Sequence, residues 1–306
     1  MEMTNRLAPP AIVHHKAALD GQKYPPNTLE AVEACLTAHA PMIEIDATAL
    51  LDDDYLLVHD EKLETETTGQ GPVAACRVAQ ARELHVRTKE TPSVYRVALL
   101  SDVVQLLVTR GGSSRLQIDY KNLLPFPDDE PLQRLIRIIA PLGERVIVSS
   151  IADWQLRKLR RLAPWLPLGL DIQFYLDWRL PGEPADPRAF PKRLGAYGYW
   201  DDHPIALGRI WPTADYLRDR CGMLLGLVPQ VNVFYVRHHL LAQSLADGFN
   251  WAEMLHQAHV QLDAWTLDAD NPIALNHLPA LLVAGVDMIT TNTPLALAAR
   301  VDQSNV

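Results

Sequence analysis

Residues 42–47 read Met-Ile-Glu-Ile-Asp-Ala, an apolar run interrupted by two acids at alternate positions. The run is short enough for a strand, and the acids sit towards its end. Before it, 11–15 (Ala-Ile-Val-His-His) is a short apolar-leading run that reads as a strand end. Between the two, Pro25-Pro26 breaks the chain. Asn27 followed by Glu30 then predicts a capping-box-like start for a helix with Leu29, Val32 and Leu36 at helical spacing. After it, 55–59 (Tyr-Leu-Leu-Val-His) reads as a further short strand. Residues 61–95 lack a clear period, carry Gly69 and Gly71, and read as loop with some helix.

Further along, strands are expected at 116–121, 146–149, 168–174, 231–236, 261–267 and 286–291. Helices are expected at 101–108 (with Ser101 as cap), 131–139, 153–163, 215–227, 240–259 (broken at Gly248) and 273–284. Strands separated by helical stretches argue for βαβ units and a parallel sheet. The order of strands and helices breaks at 175–212, which holds Trp178, Trp200 and Trp211 among prolines and glycines. Linkers rarely carry three tryptophans, so this segment reads as an insertion. Eight β/α steps with one insertion fit an α/β (β/α)8 TIM barrel better than an open sheet. The expected organisation is one barrel domain over residues 1–306.

Composition narrows the classes. The 306 residues are 48% hydrophobic and 21% charged, enough for a sizeable core. The balance of 28 Lys+Arg against 37 Asp+Glu gives −9, the wrong sign for a protein that coats nucleic acid. Cys35, Cys76 and Cys221 are odd in number and widely spaced, so no disulfide framework is expected. No apolar run approaches the ~18 residues of a membrane helix. The N-terminus, Met-Glu-Met-Thr-Asn-Arg, lacks an apolar signal core, so a cytoplasmic location is expected.

A parallel barrel buries both faces of its strands, so strand residues should be apolar. His14, His15, Glu44, Asp46, His59, Asp119 and Lys121 break that rule near the strands' C-terminal ends, where barrel active sites lie. Glu44 and Asp46 are two apart and share a strand face. Two carboxylates facing together repel unless a cation lies between them, and hard oxygen donors suit Mg²⁺ or Ca²⁺. Asp119, in an equivalent strand position, completes a three-acid set. Lys121, two residues on, adds positive charge beside it. His14 is expected to point away from His15, because side chains alternate along a strand.

These residues resemble the glycerophosphodiester phosphodiesterase family. The family's His-Arg-Gly, Pro-Glu-Asn-Thr, Glu-x-Asp and His-Asp motifs correspond to His15-Lys16-Ala17, Pro25-Pro26-Asn27-Thr28, Glu44-Ile45-Asp46 and His59-Asp60. Its Glu-x-Lys strand is similar to Asp119-Tyr120-Lys121, and its Ser-Phe strand end to Ser149-Ser150-Ile151. Its Trp-Thr-Val strand is similar to Trp265-Thr266-Leu267, and its closing segment to Gly285-Val286-Asp287 with Thr291-Asn292-Thr293-Pro294. The matches run in order over residues 11–295. Lys16, Ala17, Pro26, Asp119 and Asn292 depart from the pattern, and Thr65-Glu66-Thr67 stands where the family has Arg-Thr-Thr.

The resemblance implies metal-dependent hydrolysis of a glycerophosphodiester to sn-glycerol 3-phosphate and an alcohol. His15 and His59 would divide the acid and base roles. Glu44, Asp46 and Asp119 would hold the divalent ion. Lys16 and Lys121 would meet the phosphate, and Trp265 would wall the glycerol part. The partner is then a small-molecule phosphodiester. Two alternatives stay open. One is a lysophospholipase D or sphingomyelinase D-like lipid phosphodiesterase, with the Trp-rich insertion covering an acyl tail. The other is an inactive metal or ligand binder on the same scaffold. The insertion is equally compatible with an ordinary subdomain or a homo-oligomer contact.

Overall fold

The computed structural model describes residues 9–88, 91–180, 182 and 192–304. The chain divides into two compact units, Val13–Gly169 and the remainder, Leu170–Val306 with Met1–Ile12.

In chain order the structure begins with β1 (Ala11–His14), α1 (Leu29–Thr37), β2 (Met42–Ala49) and β3 (Tyr55–Leu56). It continues through α2 (Leu63–Glu66), α3 (Val78–Ala81), β4 (His85–Thr88), β5 (Thr91–Arg96) and α4 (Leu100–Arg110). β6 (Arg115–Tyr120), α5 (Glu130–Ile139), β7 (Val146–Ser150) and α6 (Asp153–Leu162) follow. In the first unit the strand order is β1-β2-β6-β7, all parallel. All eight residues of β2 are buried, its acids included. The register sets Glu44 beside Gln117 and Asp46 beside Asp119. Two of the three acids therefore come from the β2 sequence, and pairing with β6 supplies the third.

After β8 (Leu168–Asp171) come β9 (Leu176–Asp177), β10 (Arg193–Leu194), β11 (Trp200–Asp201), α7 (Thr213–Leu225) and β12 (Val233–Arg237). α8 (His238–Ala246), α9 (Trp251–Gln257), β13 (Gln261–Trp265), α10 (Pro272–Ala284), β14 (Met288–Thr291) and α11 (Pro294–Ser304) complete the chain. The second unit carries the order β8-β12-β13-β14. Helices start and stop where local chemistry dictates. Asn271 caps α10 by accepting from the amides of Ile273 and Ala274, and Pro272 fills the first turn. Gly285 ends α10 at φ 91°, a left-handed conformation that glycine adopts without steric cost. The eight parallel strands and their helices give the expected (β/α)8 fold class. No helix of the described residues is long and apolar enough to cross a membrane. All three cysteines are buried and free.

Four local expectations are corrected. Residues 61–95 hold an antiparallel hairpin, β4–β5, and two short helices. A satellite core of Leu50, Leu56, Val58, Leu63, Val73, Cys76, Ala81, Val97 and Leu99 supports this excursion, and its members lie too far apart in sequence to show a period. The strand expected over 55–59 is regular only at Tyr55–Leu56 and runs antiparallel to β2. α1 is capped by Thr28, whose hydroxyl accepts from the Ala31 amide, and not by Asn27. Ser101 does not cap α4; its hydroxyl donates to the buried Asp54 carboxylate.

Of the 175–212 segment, residues 181 and 183–191 lie outside the described residues. The rest forms a small antiparallel sheet, β10-β11-β9. Aromatic packing holds it. Tyr197 stacks on Tyr216 at 4.0 Å, Trp178 meets Tyr199 edge-on at 5.1 Å, and the Arg179 guanidinium lies 4.4 Å over Trp200.

Candidate active site

Every acid, histidine and lysine singled out from the sequence lies in the first unit. Carboxylate oxygens of Glu44, Asp46 and Asp119 fall within 4.8 Å of one another. Glu44 and Asp46 are buried, while the Asp119 side chain is 26% exposed and forms the open side of the cluster. Lys121 follows the end of β6, its amide bound to the Ala47 carbonyl at 3.0 Å. Its ammonium pairs with Asp46 at 2.8 Å and also contacts Asp119. The Lys16 ammonium reaches the other Asp46 oxygen at 3.3 Å.

β1 delivers its residues through a strained turn. Lys16 and Ala17 both have left-handed backbones, at φ 53° and 56°. That turn aims the Lys16 amide at Glu44 Oε2, 2.7 Å away. It also places His15 Nε2 3.9 Å from the same oxygen. The conformation is locked by the Asn27 amide on the Lys16 carbonyl, at 2.9 Å, and by Gln22 and Cys35 on the Ala17 carbonyl. His14 turns away as expected. It is buried, and its Nδ1 lies 2.9 Å from the Ala18 carbonyl.

His59 sits after β3 on a loop fixed from below. The amides of His59 and Asp60 both donate to Glu66 Oε2, at 2.6 and 3.0 Å. His59 Nδ1 lies 2.9 Å from Asp60 Oδ1. A carboxylate on one ring nitrogen orients the imidazole and leaves the other for chemistry.

The electrostatics are divided. Burial, and then the facing Asp46 and Asp119 carboxylates, push Glu44 well above the usual carboxylate range. Burial acts upward on Asp46 too, but the Lys121 and Lys16 ammonium groups and His59 overcome it and hold Asp46 below its ordinary value. For Lys121, burial works against the charge, yet Asp119, Asp46 and Glu44 prevail and raise it above the usual lysine value. With all acids ionised, three carboxylates against two ammonium groups leave 2 − 3 = −1. That sum repels an anionic substrate, and one divalent cation reverses it to +1. Three hard oxygen donors this close, one strained towards protonation, fit such an ion.

Three positioning residues escaped sequence reasoning. Asn27 donates to Asp46 Oδ2 at 2.9 Å and accepts from the Asp46 amide at 3.2 Å. It resembled a helix cap because it precedes one. Glu66 stands out in the sequence only as part of Thr65-Glu66-Thr67, a departure from the family's pattern, yet it anchors the His59 loop. Asp60 was visible as the second half of a His-Asp pair, but its hold on His59 needs geometry to see. Trp265 ends β13 in the second unit, half-buried, with its indole nitrogen buried and without a hydrogen-bond partner among the described residues. The Asn292 departure is also explained. Its amide donates to Asp268 Oδ2 at 2.9 Å, where an aspartate would repel.

A family model for the glycerophosphoryl diester phosphodiesterase family matches residues 20–175. A glycerophosphodiester phosphodiesterase of Caldanaerobacter subterraneus subsp. tengcongensis is 27% identical over 166 residues, covering 53% of this chain and 66% of that protein. One of Bacillus altitudinis is 30% identical over 170 residues, covering 53% and 68%. The chain thus spans about two thirds of the length of the curated relatives it matches. Among solved structures, a glycerophosphodiester phosphodiesterase from Agrobacterium tumefaciens superimposes with TM-score 0.62 and 16% identity, over 95% of this chain and 99% of that one. An Oleispira antarctica phosphodiesterase in complex with its product sn-glycerol-3-phosphate gives 0.62 and 15%, over 96% and 97%. At these identities the likeness is one of fold.

Proposed function

The chain belongs to the glycerophosphoryl diester phosphodiesterase family, and on that premise we propose that it hydrolyses glycerophosphodiesters to sn-glycerol 3-phosphate and an alcohol. The observation that carries the reading is the convergence of Glu44, Asp46 and Asp119 within 4.8 Å, flanked by Lys16, Lys121, His15 and His59. The three acids would hold a Mg²⁺ or Ca²⁺ ion, which when bound supplies Lewis-acid charge to the phosphate oxygens.

The chain's own residues do the rest. Lys16 and Lys121 neutralise the anion with fixed charges whose positions the acids set. Each charge is tied to Asp46, so neither reorganises far when substrate arrives. His15 and His59 move the protons, one from the attacking oxygen and one to the departing alkoxide. The Asp60 carboxylate favours a proton on His59 Nδ1 and leaves Nε2 to exchange with substrate. A substrate hydroxyl beside the phosphate is a suitable nucleophile, since it is held by the same binding contacts; its attack expels the alcohol and leaves a cyclic phosphodiester, which a water then opens to the phosphomonoester.

A second reading is favoured by one observation. Leu194, Leu207, Ile210 and Trp211 of the inserted segment are all exposed, and such side chains suit an acyl chain. A panel of glycerophosphodiesters and lysolipid phosphodiesters, assayed with Mg²⁺, Ca²⁺ or chelator, separates the two. Phosphomonoester release that chelator stops, and that His15→Ala and His59→Ala abolish, is expected. Binding of phosphodiester with no turnover under any divalent ion would refute the enzyme reading.

A further inference from the structure

The second unit contains a cluster of different chemistry. His238 and His239 open α8 directly after β12, and His277 lies on α10, which packs against α8. Their ligating nitrogens all fall within 4.8 Å of one another. His238 Nδ1 and His277 Nδ1 are 2.9 Å apart. The rings make contact in all three pairings, with centroids at 3.9, 5.1 and 5.4 Å. We propose that His238, His239 and His277 form a second metal site, for an imidazole-preferring divalent ion of the Zn²⁺ class.

The geometry suits such an ion. Donors at about 2.05 Å from Zn²⁺ lie roughly 2.9–3.3 Å apart, depending on coordination geometry. The His238–His277 pair already has that spacing. Three imidazoles packed together cannot all carry protons, because their charges would repel at contact distance. His238 is also buried, so its ring nitrogens are shielded from competing water. Neutral imidazole is the ligating form. The adjacent Arg237 guanidinium is drawn towards Asp177, at 3.3 Å.

Two neutral rings facing through Nδ1 must share one proton as donor and acceptor. Metal entry moves that proton to Nε2 of the same ring, so binding releases none. Three nitrogens would leave a fourth coordination position for a water or another ligand. Nitrogen donors here and carboxylates in the first unit select different metals.

The test uses the full chain, stripped by chelator and titrated with Co²⁺ as a visible probe for Zn²⁺. The expected result is one equivalent of a four-coordinate Co²⁺ band that Zn²⁺ displaces and excess Mg²⁺ does not. That band persists in Glu44→Gln and weakens at least ~100-fold in affinity in His277→Ala and His239→Ala. His277→Gln, conservative at a half-exposed position, repeats the loss should the alanine variant fold poorly. A band that is absent from the wild type, survives these substitutions, or disappears in Glu44→Gln overturns the proposal.

Discussion

The Asp46 carboxylate accepts from the Asn27 side-chain amide and pairs with two lysines, while its own backbone amide donates back to Asn27, and so its direction is fixed. Asn27→Ala removes both side-chain bonds and leaves the acid to the ammonium groups alone. Loss of such an orienting partner lowers metal affinity by about 10–100-fold. Isothermal titration with the activating metal checks this, and unchanged affinity would remove Asn27 from the site. A second buried acid, Asp263, is a liability of another kind. Burial raises it to about 7, against partial compensation from the Thr290 hydroxyl at 2.9 Å. The unfolded chain ionises near 3.8 and the folded one near 7, so the native state holds the proton across that window. Stability therefore falls as pH rises from about 4 to 7, by a few kcal/mol in order of magnitude. Asp263→Asn should raise Tm at pH 8 and change it little at pH 4. An equal shift at both values would contradict the assignment. At this scale the sequence showed which acids break an apolar strand. It could not show that Asn27 serves Asp46, because that contact joins a turn to a strand 19 residues away.

Elements carry the site through two connections, and both are unusual. The turn after β1 places Lys16 and Ala17 in left-handed conformations, where a Cβ is unfavourable. Ala17 stands where the resembling family has glycine, and its φ of 56° gives the reason for that glycine. Ala17→Gly relieves backbone strain but loses a buried methyl group, so stability should change by less than about 1 kcal/mol. Ala17→Val, β-branched at positive φ, should cost more than about 2 kcal/mol in chemical denaturation. If valine were tolerated as well as glycine, the turn would not be under strain. The loop after β3 depends on Glu66, which accepts from two successive backbone amides. Glu66→Gln keeps the shape but weakens both charge-assisted bonds. It should lower kcat around tenfold with KM little changed. An unaltered kcat would mean that the loop is held by other contacts. The main helices and barrel strands were legible because each repeats a short-range period. The β4–β5 hairpin was not, since its partner core is gathered from residues 50–99 with no local rhythm.

For the whole molecule, charge distribution matters more than the −9 total. Three of the 37 acids converge on one site, with one of them driven towards protonation. A divalent ion held by these acids would relieve that repulsion only in the folded state and so stabilise by mass action. Mg²⁺ or Ca²⁺ at ~100 times its dissociation constant should add about 2.7 kcal/mol. The Tm of the wild type should rise accordingly, while that of Glu44→Gln should move far less. Equal shifts in both would place the metal elsewhere. The barrel class was readable from the order of strands and helices. The assembly of the acids was readable only in part, because the β2–β6 register that sets Asp119 beside Asp46 is a tertiary fact.

The most direct test is release of sn-glycerol 3-phosphate from a glycerophosphodiester by chelator-stripped protein, before and after metal is restored, in the wild type and in Glu44→Gln. No release from stripped protein, recovery with Mg²⁺ or Ca²⁺ in the wild type, and a loss of at least about 10²-fold in the variant are expected. Full turnover by stripped protein, or a Glu44→Gln variant as active as the wild type, would contradict the account.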